Sequence, residues 1–293
     1  MTRTTCRLFA LTLLVGAGTP APAAWATPSY EGFASYPTDG PIAYQTGGGS
    51  GWSGGWGGGG LSLTATAPGL AVTGLASSPG AATSGVPASG MVAWYYRDLE
   101  TQVGAGSSLF LSFLLRPETG LSDYGGLSLV GTLGGIFVGE SGEAAMGSHA
   151  YGLEARVPDG DDPDTDPDPR LAQSLIIASP GQTALLVLKA TLLDGPDLFE
   201  LFVDPILGMG EPVADAVLGP GQGIDLGTVV YLAINNDGNW TTDEIRTGSS
   251  FAAATPAAMP VPGSLALLLA GFAGFGVRRS SGANRPWSTS EIA

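Results

Sequence analysis

The sequence predicts an all-β sandwich, and three observations lead to that prediction. The 293 residues include 47 glycines and 22 prolines, which break helices, and only 13% of residues are charged. Hydrophobic residues make up 44%, which is enough for a large core and too many for a chain kept unfolded by its charge. Short apolar and aromatic runs are separated by Gly, Pro, Asp and Asn, the pattern of strands and turns.

The first 26 residues have the organisation of a secretory signal peptide. Two arginines and no acid precede an apolar stretch, residues 8–15, and small residues follow as far as Ala24-Trp25-Ala26. The apolar stretch is too short to cross a bilayer of about 30 Å as a helix. We therefore predict cleavage between Ala26 and Thr27, with Ala23 as the second choice, and export from the cytoplasm.

Cysteine content and charge exclude several classes of site from the exported chain. Its only cysteine, Cys6, lies in the predicted signal, so disulfide frameworks, cysteine nucleophiles and thiolate metal sites are not expected after cleavage. Residues 27–258 contain 25 acidic and 6 basic residues, a net charge of −19. Nucleic acid is therefore not expected as a partner, because phosphate contacts need a basic face.

Residues 27–258 form the predicted exported body, in which strand-like runs alternate with turn residues. Several runs are apolar at consecutive positions, as expected of strands buried on both faces. Asp194-Gly195-Pro196-Asp197 separates two of them and predicts a tight hairpin. We find no helical periodicity and no repeat, so one domain is predicted. The clearest predicted strands are residues 92–96, 109–115, 126–130, 183–193, 198–203 and 228–234.

A series of short motifs runs in order along this body. They are Tyr30-Glu31-Gly32-Phe33, Gly51-Trp52-Ser53-Gly54-Gly55-Trp56, Arg97-Asp98-Leu99, the run 109–116, Leu185-Leu186-Val187-Leu188, Leu201-Phe202-Val203-Asp204-Pro205 and Asp243-Glu244-Ile245-Arg246-Thr247-Gly248. The series resembles exported bacterial proteins that carry a laminin-G-like, concanavalin A-like jelly roll. The resemblance implies a jelly-roll sandwich, and jelly rolls of this class commonly bind sugars.

The C-terminal part of the sequence contains an apolar stretch, residues 265–277, followed directly by Arg278-Arg279. A helix counted from residue 259 is long enough to cross a bilayer, and the arginines are expected to remain in the cytoplasm. We predict a transmembrane helix within residues 259–279, inserted in the inner membrane, and a cytoplasmic tail of residues 280–293.

Pro260-Val261-Pro262 precedes this apolar stretch, and the two arginines follow it. The order resembles the PEP-CTERM sorting signal, in which a Pro-Glu-Pro-like motif precedes a short membrane helix and a basic cluster. The resemblance implies processing by an exosortase in a Gram-negative bacterium that makes extracellular polysaccharide. Val261 stands where the family has glutamate, which leaves two outcomes open: cleavage with release to the cell surface, and retention in the inner membrane.

Candidate catalytic residues are few. Glycoside hydrolases, which occur among jelly rolls of this type, need two carboxyl groups about 5 Å or about 6.5–9.5 Å apart. Glu200 and Asp204 would share a face if their strand stayed regular, but Asp204-Pro205 favours a turn that ends it. The residues 51–55 match a hydrolase nucleophile pattern by chance, since no helix follows and His149 is the only histidine. We therefore expect that the protein is not an enzyme.

Two segments contain oxygen-rich side chains that could bind calcium. In the first, residues 158–169, alternate aspartates resemble part of a calcium loop, but four prolines favour an extended, solvated insertion. The second, Asn235-Asn236-Asp237-Gly238, is predicted to be a turn. We predict no cofactor, with calcium as the one candidate. The residues concerned are Asp159, Asp161, Asp164, Asp166, Asn235 and Asp237.

The sequence leaves three functions open. The first is an exported, non-enzymatic protein of the cell surface or extracellular matrix, sorted by an exosortase through its C-terminal signal. The second is a carbohydrate-binding, lectin-like module with extracellular polysaccharide as partner, and the third is a glycoside hydrolase. Four tryptophans of the body can stack on sugars or belong to the core. They are Trp52, Trp56, Trp94 and Trp240.

Overall fold

The computed structural model describes residues 28–85, 92–121, 124–141, 148–156 and 170–258. These residues form strands in two antiparallel sheets, one short α-helix and a 3₁₀ turn. The all-β sandwich of jelly-roll type predicted from the sequence is therefore confirmed. The predicted signal peptide, membrane helix and tail lie outside the described residues. In the described part of the chain, no helix is both long and apolar enough to cross a membrane.

Sheet I has eight strands. Their order is β13-β12-β11-β6-β15-β4-β3, and β1 pairs with β15 beside this path. The strands are β1 Tyr30–Glu31, β3 Leu63–Thr66, β4 Ala81–Ser84, β6 Ser107–Pro117, β11 Ala184–Leu193, β12 Gly195–Val203, β13 Ala216–Leu218 and β15 Trp240–Gly248.

Sheet II has seven strands in the order β10-β9-β8-β7-β14-β5-β2. The strands are β2 Trp52–Gly60, β5 Ala93–Val103, β7 Tyr124–Gly131, β8 Gly135–Glu140, β9 Ala150–Arg156, β10 Arg170–Ile177 and β14 Val229–Asp237. The helix α1, Phe251–Ala254, begins after Ser250, whose side chain accepts a hydrogen bond from the Ala253 N–H and so caps it.

The main core lies between the two sheets. In β6, Leu109, Leu111 and Phe113 point inward at alternate positions and belong to a core cluster that includes residues of both sheets. A second, smaller core covers the opposite face of sheet I, where Phe110 and Phe202 meet Phe251 of α1 edge-on. Strands β6 and β11 are therefore apolar at consecutive positions because both of their faces are buried.

All six predicted strands are present. Three lie within the observed strands, and the other three, predicted from residues 92, 183 and 228, begin one residue too early. The predicted hairpin is also present, because only Asp194 separates β11 from β12. Asp197 stabilises the hairpin by accepting hydrogen bonds from the N–H groups of Leu193, at 2.9 Å, and Leu226, at 2.8 Å. One local prediction is wrong. Asn235, Asn236 and Asp237 continue β14 instead of forming a turn, because each pairs in register with β7.

Candidate functional site

The outer face of sheet II, which points away from the main core, carries exposed aromatic side chains. Along β5, Ala93 and Tyr95 are buried in the core while Trp94 is half-buried and Tyr96 is exposed. The cause is the two-residue period of a strand, which sends alternate side chains to opposite faces. Trp94 and Tyr96 therefore project from the sheet, where no core packing requires an aromatic ring.

A third ring comes from the neighbouring strand. Tyr231 of β14 faces outward because Leu232 and Ile234 on either side of Ala233 belong to the core. The ring centroids of Tyr96 and Tyr231 are 5.5 Å apart with planes inclined at 54°. Such a tilted contact is a favourable geometry for two aromatic rings. We call Trp94, Tyr96 and Tyr231 the aromatic platform.

The glycine-rich edge strand β2 leaves this platform open. In the register of β2 with β5, Gly57 lies beside Tyr96 and Gly59 beside Trp94. A Cβ added at Gly57 would lie 2.7 Å from Cζ of Tyr96, whereas one added at Gly59 would meet nothing within 4 Å. Without a side chain at Gly57, the Tyr96 ring is accessible from the edge of the sheet.

Polar groups border the platform. Asn235 lies opposite Trp94 in the pairing of β14 with β5, and it is only 2% exposed. Its Nδ2 atom has no hydrogen-bond partner, which is costly for a buried donor. The exposed Asp98 lies opposite Tyr231. Burial raises the pKa of Tyr231, and the nearby Tyr96 and Asp98 raise it further. The Tyr231 hydroxyl therefore remains a hydrogen-bond donor at neutral pH.

A buried ion pair supports the platform from below. The Arg97 side chain points inward between the outward Tyr96 and Asp98, and its guanidinium lies 2.7 Å from a carboxylate oxygen of Glu31. Arg97 also donates hydrogen bonds to the carbonyl oxygens of Gly48 and Gly54. β5 is thereby tied to β1 and to the segment that leads into β2.

Two aromatic residues complete this network. Tyr36 donates a hydrogen bond of 2.8 Å to Glu31, and the Trp56 indole N–H lies 3.2 Å from the Tyr36 hydroxyl oxygen. Burial and the adjacent Glu31 raise the pKa of Tyr36 well above its ordinary value, so it stays a donor. Three of the motifs that we quoted for the jelly-roll resemblance therefore meet in one buried network. Its role is structural.

The four tryptophans divide between core and surface. Trp56 and Trp240 are fully buried in the main core, and Trp52 is partly buried against it with its indole N–H bonded to the Tyr30 carbonyl. Only Trp94 of the four lies on the outer face of sheet II. The two tyrosines of the platform were not predicted from the sequence, although the alternation in β5 puts Tyr96 on the same face as Trp94.

The structure does not bring Glu200 and Asp204 together on one regular strand. β12 ends at Val203, and Asp204 has a left-handed backbone with φ of 47°. Its carboxylate accepts a hydrogen bond from the Leu185 N–H, at 2.8 Å, while Glu200 forms an ion pair of 3.0 Å with Lys189. Desolvation raises the pKa of Asp204. Each carboxylate therefore has a local structural partner.

The calcium candidates fall into two groups. Asp159, Asp161, Asp164 and Asp166 lie outside the described residues. Asn235 and Asp237 are on the outer face of sheet II, at the end of β14. Within the described ranges, no group of three or more His, Asp or Glu side chains could hold a metal ion.

The remaining sequence candidates lie elsewhere. His149 is half-exposed just before β9, with Nδ1 2.9 Å from a carboxylate oxygen of the buried Glu140. Ser53, in the hydrolase-like pattern, is an exposed residue of β2. The cleavage site at Ala26 and Thr27 and the sorting residues lie outside the described residues. The latter are Pro260, Val261, Pro262, Arg278 and Arg279.

No family model and no curated protein matches this sequence. Among solved structures, endo-beta-1,4-glucuronan lyase from the fungus Trichoderma reesei is similar at 10% identity and a TM-score of 0.47, over 80% of this chain and 99% of that one. The Emp46p carbohydrate recognition domain is similar at 14% identity and a TM-score of 0.38, over 64% of this chain and 88% of that one. Endo-1,3-beta-glucanase from Streptomyces sioyaensis is similar at 9% identity and a TM-score of 0.40, over 75% of this chain and 88% of that one. With TM-scores below 0.5, these likenesses say nothing about what this chain binds.

Proposed function

We propose that this chain is an exported, non-enzymatic protein that binds glycans through the aromatic platform. The observation that carries the proposal is the grouping of Trp94, Tyr96 and Tyr231 on an outer sheet face, outside the main core. Flat aromatic rings stack on the apolar faces of sugars, and the neighbouring polar groups bind hydroxyls.

A glycan array probed with the mature protein tests this proposal. We expect binding to at least one glycan, and a loss of about tenfold in affinity on Trp94→Ala, equivalent to about 1.4 kcal/mol. Leu175→Ala is the matched control. It removes an apolar side chain that is 99% exposed on β10, at the opposite edge of the same sheet. Failure to bind any glycan, with or without calcium, would leave a surface or matrix role without sugar binding.

The absence of catalysis is part of the proposal. The hydrogen bond of Asp204 with the Leu185 N–H and the ion pair of Glu200 with Lys189 give both carboxylates a structural role. We therefore expect that the glycans bound by the protein are recovered uncleaved after prolonged incubation. Release of shorter saccharides by the purified protein, and its loss on Glu200→Gln, would favour the hydrolase instead.

The route of the protein is also proposed from its sequence. The signal peptide is removed between Ala26 and Thr27, and an exosortase processes the chain near Pro260-Val261-Pro262. Mass spectrometry of the mature protein should find Thr27 at its N-terminus and no peptide containing Trp287. A surface-released protein that still contains Trp287 would contradict processing, and a full-length product in the inner membrane would mean that Val261 prevents it.

A further inference from the structure

The loop between β12 and β13, residues 204–215, exposes three large apolar side chains. Ile206 is 76% exposed, Met209 80% and Val213 91%. We call these three residues the apolar tip. Apolar side chains grouped in this way on a surface commonly mark an interaction site.

The loop is held in this conformation by contacts with the body. A carboxylate oxygen of Asp215 accepts a hydrogen bond of 2.8 Å from the Val203 N–H, which closes the neck of the loop. Leu207 and Ala214 turn inward and pack against the second core on the outer face of sheet I. The loop is therefore fixed to the body, and it presents the apolar tip outward while Leu207 and Ala214 face inward.

The loop lies where the chain leaves the folded body. The Ala258 N–H donates a hydrogen bond of 2.8 Å to the carbonyl oxygen of Gly74. A Cβ added at Gly74 would lie 3.7 Å from Cδ1 of Leu207, so the exit and the loop are neighbours. Ala258 is the last described residue before the C-terminal segment.

The apolar stretch that we predict to insert in the membrane begins shortly afterwards, at Leu265. The seven residue-to-residue steps from Ala258 to Leu265 span at most about 25 Å when fully extended. Insertion of residues 265–277 therefore keeps this end of the body, with the apolar tip, close to the bilayer surface.

The charges of the loop also permit contact with lipid. Glu211 lies 2.7 Å from Nζ of Lys189, and hydrogen bonding to Glu211 and Glu200 raises the pKa of that lysine. Asp204 and Asp215 accept hydrogen bonds from backbone N–H groups of the body. All three acids of the loop are exposed, but each has a partner in the body, whereas Ile206, Met209 and Val213 are exposed without such contacts.

We infer that the apolar tip rests in the interfacial region of the bilayer that receives residues 265–277, as a second contact that orients the body on the membrane. Partial burial of a few apolar side chains in this region gives a weak and reversible contact, which is reinforced for as long as the apolar segment remains attached, that is, before the chain is processed. The inference depends on insertion of that segment and is independent of glycan binding.

Site-specific labelling of the full chain tests the inference. Met209→Cys, in a Cys6→Ser background, is labelled with an environment-sensitive dye and reconstituted in phosphatidylcholine vesicles that contain a spin-labelled lipid. The control is Leu133→Cys. Leu133 is 59% exposed and lies at the other end of β12 from the loop. Its N–H bonds to the carbonyl oxygen of Leu226, and the Leu226 N–H bonds to Asp197 near the start of β12.

We expect quenching by the spin-labelled lipid to be at least twofold stronger at position 209 than at position 133. Addition of Ile206→Ser and Val213→Ser, both exposed and thus compatible with folding, should reduce the quenching at position 209. Equal quenching at the two labelled positions would overturn the inference. It would also be overturned if the full chain failed to insert in the vesicles.

Discussion

Arg97 and Glu31 are the residues on which the platform depends without being part of it. Both are almost fully buried, at 3% and 0% exposure, and they form a direct ion pair. Removing one partner of a buried pair leaves an uncompensated charge, at a cost of about 3–5 kcal/mol. We expect Arg97→Met to lower the free energy of unfolding by this amount in chemical denaturation.

Arg116→Met is the matched control for that substitution. Arg116 pairs with Glu118 at 2.7 Å, but the two side chains are 31% and 24% exposed. Solvent screening limits such pairs to about 1 kcal/mol or less. If the two variants lose equal stability, the buried network does not support β5 in the way described.

Asp243, in β15, makes the stability of the fold depend on pH. Burial, and secondly the adjacent Glu244, raises the pKa of Asp243 from 3.8 to about 8. Between these values the folded chain holds a proton that the unfolded chain releases, so stability falls as the pH rises through this window. Above a pH of about 8, this group has no further effect.

Denaturation of Asp243→Asn over the same pH range measures this effect. The variant cannot titrate at this position. Its single amide oxygen can accept only one of the two hydrogen bonds that Leu70 and Glu244 donate to separate oxygens of Asp243, so its overall stability should be lower and the slope with pH is the quantity to compare. We expect a flatter dependence of the unfolding free energy on pH than in the wild type. An unchanged dependence would mean that Asp243 is already ionised in the fold at neutral pH.

Among the strands, those with apolar sequences could be predicted, whereas the polar strand β15 and the glycine-rich strand β2 could not. The run 109–115 has a strong signal because both faces of β6 are buried. β15 is equally buried, but its sequence is polar, and its burial depends on partners far away in the chain. Glu244, for example, bonds to the N–H of Ser78, 166 residues away. No local pattern reveals such partners.

β2 shows a second reason for a missed strand. Its sequence, WSGGWGGGG, has little strand propensity, because glycine weakens strands and has no side chain to pack. The strand forms because β5 is beside it and supplies the pairing. For the same reason, the candidate site was predicted only in part: Trp94 was a candidate, whereas Tyr231 became one only through the pairing of β14 with β5.

The glycines of β2 give a prediction about the platform. The Cβ of Gly57→Ala would meet the far end of the Tyr96 ring, which can tilt away, so the stability should change little. The tilt should weaken glycan binding, because Tyr96 would no longer lie beside Tyr231 as it does now. Gly59→Ala, with free space around its Cβ, should leave both properties unchanged. Binding isotherms and melting curves of the two variants make this comparison.

At the scale of the whole molecule, charge predicts the class of glycan. Residues 27–258 have a net charge of −19, and β2, β5 and β14 contain only one basic residue, the inward-facing Arg97. Polysaccharides with carboxylate or sulfate groups should be repelled, since like charges oppose association. Affinity electrophoresis in a neutral glucan and in its carboxymethylated form should show retardation only in the neutral gel. Stronger retardation in the charged form would contradict this selectivity while leaving glycan binding intact.

The glycan-binding surface that we propose is the outer face of sheet II, built on Trp94, Tyr96 and Tyr231. A calorimetric titration with the tightest glycan from the array, performed on the wild type, Trp94→Ala and Leu175→Ala, tests it most directly. We predict that Trp94→Ala weakens binding about tenfold, equivalent to about 1.4 kcal/mol, and that Leu175→Ala binds like the wild type. Unchanged affinity in a folded Trp94→Ala variant would contradict the claim and place any glycan site elsewhere on the molecule.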